Sequence, residues 1–191
     1  MMKLLESMIQ EKGTIKEGNI VKVDSFLNHQ IDIELLNECG KEFKKRFADC
    51  KVTKILTLEA SGIAIACIAA QYFKTPVVFA KKSEASNLSE NVYESRVISY
   101  TKAKEYNIKV DKDYIKSSDK VLIIDDFLAQ GEAVAGLLSI IKQAEANLVG
   151  IGIIIEKGFQ QGGKKIREKG LRLESLAIID SIEDGIIQFR K

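Results

Sequence analysis

The sequence has few of the residues that build disulfide frameworks or metal centres. Its 191 residues include three cysteines and a single histidine, His29. Cys39, Cys50 and Cys67 lack the spacing of zinc ligands, and an odd number of cysteines cannot all pair within one chain. We therefore expect neither disulfides nor zinc, which favours a reducing, cytoplasmic location.

Long apolar runs and an excess of one charge are also missing. The sequence has no span of about 20 apolar residues, the length needed to cross a membrane. Residues 1–10 include Lys3 and Glu6 and lack the apolar core of a secretion signal. The formal net charge is +2, and no dense basic run occurs. We therefore expect neither a membrane nor a nucleic acid as a partner.

The composition is that of an ordinary globular protein. Apolar residues make up 46% of the chain and charged residues 29%, which is typical of soluble domains. A chain of this length can bury a core of its own. We therefore expect residues 1–191 to form one domain.

Helical and strand patterns alternate along the chain. Strands alternating with helices predict an α/β fold, with a mostly parallel central sheet flanked by helices. The polar run from residue 81 to about 91 predicts a long loop, and Asp32 is a candidate helix cap. Helices are predicted near residues 2–11, 32–48, 62–73, 131–144 and 164–169, and strands at 55–58, 76–80, 96–100, 121–124, 148–155 and 173–179.

Two adjacent acids, Asp125 and Asp126, follow the apolar run at residues 121–124. An unbroken apolar run predicts a strand buried on both faces, and ligands of such folds bind at the carboxyl ends of the strands. Two ionised carboxylates can accept hydrogen bonds from both hydroxyls of a vicinal diol such as a ribose. The alternative is that the pair only ends the strand and caps a helix.

The segment after the acids is small and lacks Lys and Arg. If it binds a phosphate, backbone N–H groups and the start of the next helix must do so. The residues concerned are Ala129, Gln130, Gly131, Glu132 and Ala133.

This whole stretch resembles, in order and spacing, the signature of type I phosphoribosyltransferases that binds 5-phosphoribosyl-1-pyrophosphate (PRPP). The resemblance implies that the acids hold the ribose hydroxyls and that the following loop holds the 5′-phosphate. It also implies Mg²⁺ held mainly through PRPP, a homodimer, and a small hood formed by the N- and C-terminal segments, about residues 1–35 and 157–191. Many members have Thr or Ser in the loop, whereas this chain has Ala129 and Ala133.

A second turn with small residues joins a strand to a helix at Ala60, Ser61 and Gly62. Small side chains let an anion approach the backbone, although helix capping alone would explain them. In the phosphoribosyltransferases this position is the pyrophosphate loop. The resemblance implies a non-proline cis peptide within residues 59–61.

Lys81 and Lys82 follow the strand predicted at residues 76–80. In the family, a basic pair here reaches the pyrophosphate of the same or the neighbouring subunit. Two solvated lysines at the start of a loop are the alternative. The resemblance also implies a flexible loop over about residues 81–105, which would close over the site and exclude water.

Recognition of the base is predicted at both ends of the chain. Residues 21–32, which read as a loop, resemble the hood of bacterial xanthine phosphoribosyltransferases, where the residues matching Val21, Asn28 and Lys157 contact the base. A lysine can donate to a purine oxygen, and Phe159 could stack on the ring. A solvated Lys157 and a core Phe159 are the alternative.

The resemblance implies a purine salvage reaction, in which xanthine and PRPP give xanthosine 5′-monophosphate (XMP) and pyrophosphate. Guanine or hypoxanthine as the substrate remains an alternative, because one lysine and one amide fit several oxopurines. A regulator that senses PRPP or purines without catalysis is another. A P-loop is not predicted, because Lys165 occupies the Ser/Thr position after the glycines and Lys164.

Overall fold

The fold is of the α/β class, with a central sheet covered by helices. In a computed structural model, residues 1–18, 20–83, 91–99 and 104–191 are described. The helices are α1 (Lys3–Lys12), α2 (Ile33–Arg46), α3 (Ser61–Phe73), α4 (Glu132–Gln143) and α5 (Gly162–Glu168). The strands are β1 (Thr14–Lys16), β2 (Ile20–Lys22), β3 (Lys54–Leu58), β4 (Val77–Ser83), β5 (Val92–Ser99), β6 (Lys104–Asp111), β7 (Lys120–Leu128), β8 (Asn147–Lys157), β9 (Leu173–Glu183) and β10 (Ile186–Phe189).

The central sheet has the order β10-β9-β8-β7-β3-β4-β6-β5. Its inner strands β9, β8, β7, β3 and β4 pair in parallel. At the two edges, β10 pairs antiparallel with β9, and the β5–β6 hairpin pairs antiparallel with β4. The predicted α/β fold with a mostly parallel sheet is therefore confirmed. β1 and β2 form a separate antiparallel pair.

Helices cover both faces of the sheet. On one face, α1, α2 and α3 pack around the fully buried Phe43 and Phe47, while α4 packs on the other face through Leu137 and Ile140. Burial on both faces explains why β7 and β8 are apolar over most of their length instead of alternating.

Two strands extend beyond the predicted ends, which changes where the polar residues lie. The predicted strand at 121–124 continues as β7 to Leu128, so Asp125 lies within the strand and is paired with Ile153. Likewise, β4 includes Lys82, which is paired with Ile108 of β6. A polar side chain does not end a strand when the neighbouring strand continues to pair with its backbone.

Strands also occupy much of the loop predicted over residues 81–105. Residues 81–83 belong to β4, 92–99 to β5 and 104–105 to β6. The strand predicted at residues 96–100 is therefore confirmed for residues 96–99, whereas residues 81–83, predicted as loop, continue a strand. Within that range, Asn91 lies in a turn, and residues 84–90 and 100–103 lie outside the described residues. β6 was missed, although Tyr106, Ile108 and Val110 alternate with polar residues in the pattern that predicts a half-buried strand.

The helices are short for a membrane. α2 has 14 residues and α3 has 13, whereas a membrane-spanning helix needs about 20. Among the described residues, no helix combines the length and apolar character that crossing a membrane requires.

The Asp32 cap is expected to stabilise α2. Its Oδ1 accepts a hydrogen bond from the Leu35 N–H at 3.0 Å, so Asp32→Ala should lower the free energy of unfolding by about 1 kcal/mol, measured by urea denaturation. Glu34→Ala is the matched control, because Glu34 is an exposed acid in the same turn. Its effect should be about 0.5 kcal/mol or less. Equal losses in the two variants would contradict the capping role.

Candidate active site

A cleft of about 290 Å³ opens where β7 and β8 end, beneath the β5–β6 hairpin. It brings together the predicted phosphate-binding residues and Lys157, which are about 25 residues apart in the sequence. The cleft is lined by Val97, Ile98, Tyr106, Phe127, Leu128, Ala129, Gln130, Gly131, Glu132, Ala133, Val134, Lys157 and Gln160.

The two acids lie directly before this lining and are nearly inaccessible. Asp125 is 5% exposed and Asp126 is 9% exposed. The Asp126 N–H donates to Asp125 Oδ1 at 3.0 Å. Burial, followed by the charge of Asp126, raises the pKa of Asp125 well above its usual range, and the charge of Lys82 opposes this. Asp125 therefore keeps its proton to a higher pH than an exposed acid, and it can donate a hydrogen bond as well as accept one.

The turn between β3 and α3 lies against the acid pair. The peptide between Glu59 and Ala60 is cis, as the family resemblance implied. A Cβ built on Gly62 would lie 2.9 Å from Asp125 Oδ1 and would overlap the buried Thr57 Oγ1. Glycine therefore allows α3 to begin this close to the acid, so the backbone of the predicted pyrophosphate loop is next to the predicted ribose site.

The two lysines of β4 lie on opposite faces of the strand. Lys82 Nζ is 5.4 Å from the ring centroid of Tyr106, and its charge acts on Asp125. Lys81 Nζ is 6.0 Å from the ring of Phe79, two residues earlier. Because successive side chains of a strand alternate between faces, only Lys82 is directed towards the acid pair of its own chain.

The phosphate loop is formed by the end of β7 and the first turn of α4. Gly131 has a φ of 90°, which favours glycine, and its carbonyl accepts from the Ala135 N–H at 2.8 Å. The first N–H groups of α4 have no carbonyl partner within the helix and carry its positive dipole end. An anion in the cleft would therefore meet backbone donors, in agreement with the small side chains of the loop.

The other end of the cleft is suited to a flat, polar ligand. Burial lowers the pKa of the half-buried Lys157, and its Nζ lies 5.6 Å from the ring centroid of Phe127. Phe127 lines the cleft, whereas Phe159 is 39% exposed and does not. The geometry therefore favours Phe127 over Phe159 as the aromatic surface. The sequence did not indicate Phe127 as a site residue, because the strand was predicted to end at residue 124, whereas β7 continues to Leu128.

Tyr106 is a second cleft residue that the sequence did not indicate. It lies on β6, near Lys82. Burial, followed by the charge of Asp125, raises the pKa of Tyr106. Its hydroxyl therefore stays protonated and can donate a hydrogen bond at physiological pH. No motif in its charged surroundings could have identified it.

The N-terminal hood residues Val21 and Asn28 lie outside the cleft lining described above, whereas Lys157 of the C-terminal hood segment lines it. The loop expected at residues 21–32 is partly replaced by regular structure, because residues 21–22 belong to β2 and the backbone between Asp24 and Asn28 makes a π-helical turn with Phe26 and Leu27 buried. Asn28 ends this turn with an exposed side chain, while Val21 is a buried residue of β2. The turn packs into the same apolar cluster as Phe127.

The acid pair is the candidate metal-binding group. Among the described residues, no cluster of three or more His, Cys, Asp and Glu side chains is arranged to hold an ion. Mg²⁺ commonly binds through one or two carboxylates together with the phosphates of a substrate. Asp125 and Asp126 therefore fit Mg²⁺ that is held mainly through a phosphate ligand.

Comparison with known proteins shows that the chain is similar to phosphoribosyltransferases along nearly its whole length. The family described as phosphoribosyl transferase domain matches residues 24–185. A xanthine phosphoribosyltransferase from Clostridium novyi is 58% identical, covering 99% of this chain and all of the relative. Another, from Alkaliphilus metalliredigens, is 59% identical, covering 99% of this chain and 94% of the relative.

Solved structures are similar in fold. The adenine phosphoribosyltransferase of Giardia lamblia superimposes with a TM-score of 0.75 at 23% identity, covering 93% of this chain and 97% of the other. That of Rhodothermus marinus also gives 0.75, at 20% identity, covering 93% and 99%. At these identities the likeness shows the fold alone.

The raised pKa of Asp125 predicts how Asp125→Asn affects stability. A carboxyl whose folded pKa is raised favours the folded state below its unfolded pKa of about 3.9, and this contribution is lost as the pH rises through the folded pKa. At neutral pH the Asn variant should therefore be at least as stable as the wild type, with a smaller difference at acidic pH. Urea denaturation at both pH values measures this.

Asp113→Asn is the matched control, because the Asp113 side chain is 73% exposed. It should change stability little at either pH. A loss of stability in Asp125→Asn that is larger at neutral than at acidic pH would contradict the assigned direction of the pKa.

Proposed function

The chain belongs to the phosphoribosyltransferase family, and on that premise we propose that it transfers the 5-phosphoribosyl group of PRPP to N9 of xanthine, giving XMP and pyrophosphate. The observation that carries the transfer chemistry is the buried acid pair of β7 directly before a phosphate loop made of backbone donors. The choice of xanthine rests on relatives of that name, 58% and 59% identical along nearly the whole chain.

The acid pair and the following loop are proposed to bind the ribose 5-phosphate part of PRPP. Asp125 and Asp126 take the two ribose hydroxyls. Asp125 can do so as donor or acceptor because of its raised pKa. The N–H groups at the start of α4 take the 5′-phosphate. Fixing both ends of the ribose orients C1′ towards the base.

The pyrophosphate is proposed to lie against the turn between β3 and α3. Its backbone at residues 60–62 is close to Asp125, and Lys82 adds a positive charge on the same side. Mg²⁺, held mainly through PRPP, would neutralise part of the charge of the leaving group. In a homodimer, which we also propose, Lys81 would be free to reach the pyrophosphate of the second subunit.

The base is proposed to occupy the end of the cleft at Lys157. A purine stacked on Phe127 would bring an exocyclic carbonyl oxygen of the base within reach of the Lys157 ammonium. Val21 and Asn28 are proposed to close over the opposite edge of the base, since their segment is anchored in the same core as Phe127.

The chemistry this arrangement supports is positional and electrostatic. As N9 forms its bond to C1′, the bond from C1′ to the pyrophosphate oxygen breaks, and its electron pair leaves with the pyrophosphate. The base loses its imidazole proton to solvent, and positive charge develops transiently on the ribose ring. The carboxylates of the acid pair stabilise that charge, and Lys82 stabilises the departing oxygen.

The three free cysteines, of which Cys39 is buried, are compatible with a proposed cytoplasmic setting.

Pyrophosphate release with xanthine, guanine, hypoxanthine and adenine, each supplied with PRPP and Mg²⁺, tests the function. We expect the highest kcat/KM with xanthine. A higher value with guanine or hypoxanthine would replace the proposed substrate and keep the reaction. Tight PRPP binding without release from any purine would instead indicate a sensing protein.

Substitution of the acids tests the ribose assignment. Asp126→Asn should lower kcat by about 100-fold or more, because it removes charge that stabilises the ribose only as it becomes positive. Asp125→Asn should lower kcat by a similar factor, because the positive charge on the ribose favours the ionised form of Asp125 in the transition state and Asn cannot ionise. Steady-state pyrophosphate release measures this. Asp113→Asn, an exposed isosteric change, should leave kcat unaltered. Unchanged kinetics in both site variants would remove the acids from the mechanism.

A further inference from the structure

We propose that α5 is a positioning element: Gly162 supports the phosphate loop from behind, and the Glu156–Arg167 ion pair fixes α5 to the strand that carries Lys157. The proposal rests on the proposed function and extends it. It assigns a role to Gly162, Gly163 and Arg167, which lie outside the predicted substrate-binding residues.

Gly162 is in direct backbone contact with the phosphate loop. Its N–H donates to the Ala129 carbonyl at 3.0 Å. A Cβ built on Gly162 would overlap that carbonyl oxygen, and it would lie 2.8 Å from the Gly131 nitrogen and 2.9 Å from the Gln130 carbonyl carbon. All of these are backbone atoms, so they cannot rotate away as the end of a side chain could. Any side chain at 162 must therefore displace the loop.

The other end of α5 is held by an ion pair between the partly exposed Arg167 and the buried Glu156. Arg167 donates from Nη1 and Nη2 to the two Glu156 carboxylate oxygens, each at 2.7 Å. Glu156 is 2% exposed and also accepts from the Ser175 hydroxyl. Gly163 permits the approach, because a Cβ there would overlap Glu156 Oε1. A bidentate pair of this kind fixes orientation as well as distance.

This attachment joins the two ends of the cleft. Glu156 precedes Lys157 on β8, and the Gln160 N–H donates to the Lys157 carbonyl at 2.9 Å. Gln160 itself lines the cleft, two residues before Gly162. A short, hydrogen-bonded segment therefore runs from the proposed base contact to the back of the phosphate loop. Moving α5 would disturb both.

The contacts predict different effects for two substitutions. Gly162→Ala adds its methyl group only against the phosphate loop, so the Kd for PRPP should rise about tenfold or more, with the KM for xanthine within about twofold of the wild type. Arg167→Lys keeps the charge but loses the bidentate geometry next to Lys157. It should raise both the Kd for PRPP and the KM for xanthine.

The experiment measures PRPP binding with Mg²⁺ by calorimetry, the KM for xanthine by pyrophosphate release, and the melting temperature of each variant. Gly150→Ala is the matched control, because a Cβ there would lie 2.6 Å from Phe47 Cε1, in the core. It should lower the melting temperature and leave both ligand constants unchanged. This separates general loss of stability from loss of positioning.

The outcomes distinguish this proposal from the proposed function. A wild-type protein that neither binds PRPP nor releases pyrophosphate would overturn both. With an active wild type, a folded Gly162→Ala variant with an unchanged Kd for PRPP would overturn the positioning role alone. If that variant does not fold, Arg167→Lys decides, and unchanged ligand constants in it would overturn the proposal.

Discussion

The position of β7 between β3 and β8 is the constraint on which the site depends. Parallel pairing places the end of each strand at the same edge of the sheet. Residues distant in the sequence, Gly62, Asp125 and Lys157, are therefore brought to one place. The sheet can hold them firmly because helices pack their apolar sides on both of its faces, so the inner strands are deeply buried.

Glycines at the starts of α3 and α5 and on one face of α4 determine how closely these helices approach the site. Gly62 lets α3 approach Asp125, and Gly162 lets α5 approach the phosphate loop. On the far side, α4 meets the β5–β6 hairpin at Gly136, where a Cβ would lie 2.6 Å from Val97 Cγ2. That close contact holds Tyr106 over the cleft. The lack of a side chain at Gly62, Gly136 and Gly162 is therefore what allows the helices to approach the site this closely.

The two buried carboxyl groups Glu156 and Asp125 differ in how far nearby groups compensate their charge. Glu156 is compensated by Arg167 and Ser175, so its carboxylate is fully hydrogen-bonded and serves to orient α5. Among the described residues Asp125 has no ion pair, and the charge of Lys82 only partly offsets its burial. At the proposed ribose site, a sugar ring that becomes cationic would supply positive charge that favours the ionised carboxylate.

The sequence alone determined the fold class, the Asp32 cap and the identity of the β7 signature, because these depend on local periodicity and on residues adjacent in the chain. It also predicted the site segments, through resemblance. Only the tertiary structure placed Asp125 inside a strand, put Lys81 and Lys82 on opposite faces of β4, and showed Phe127 and Tyr106 in the cleft lining. The contacts of Gly162 with Ala129 and of Gly163 with Glu156 are also visible only in the tertiary structure. Each of these depends on pairing between distant strands, which no local pattern records.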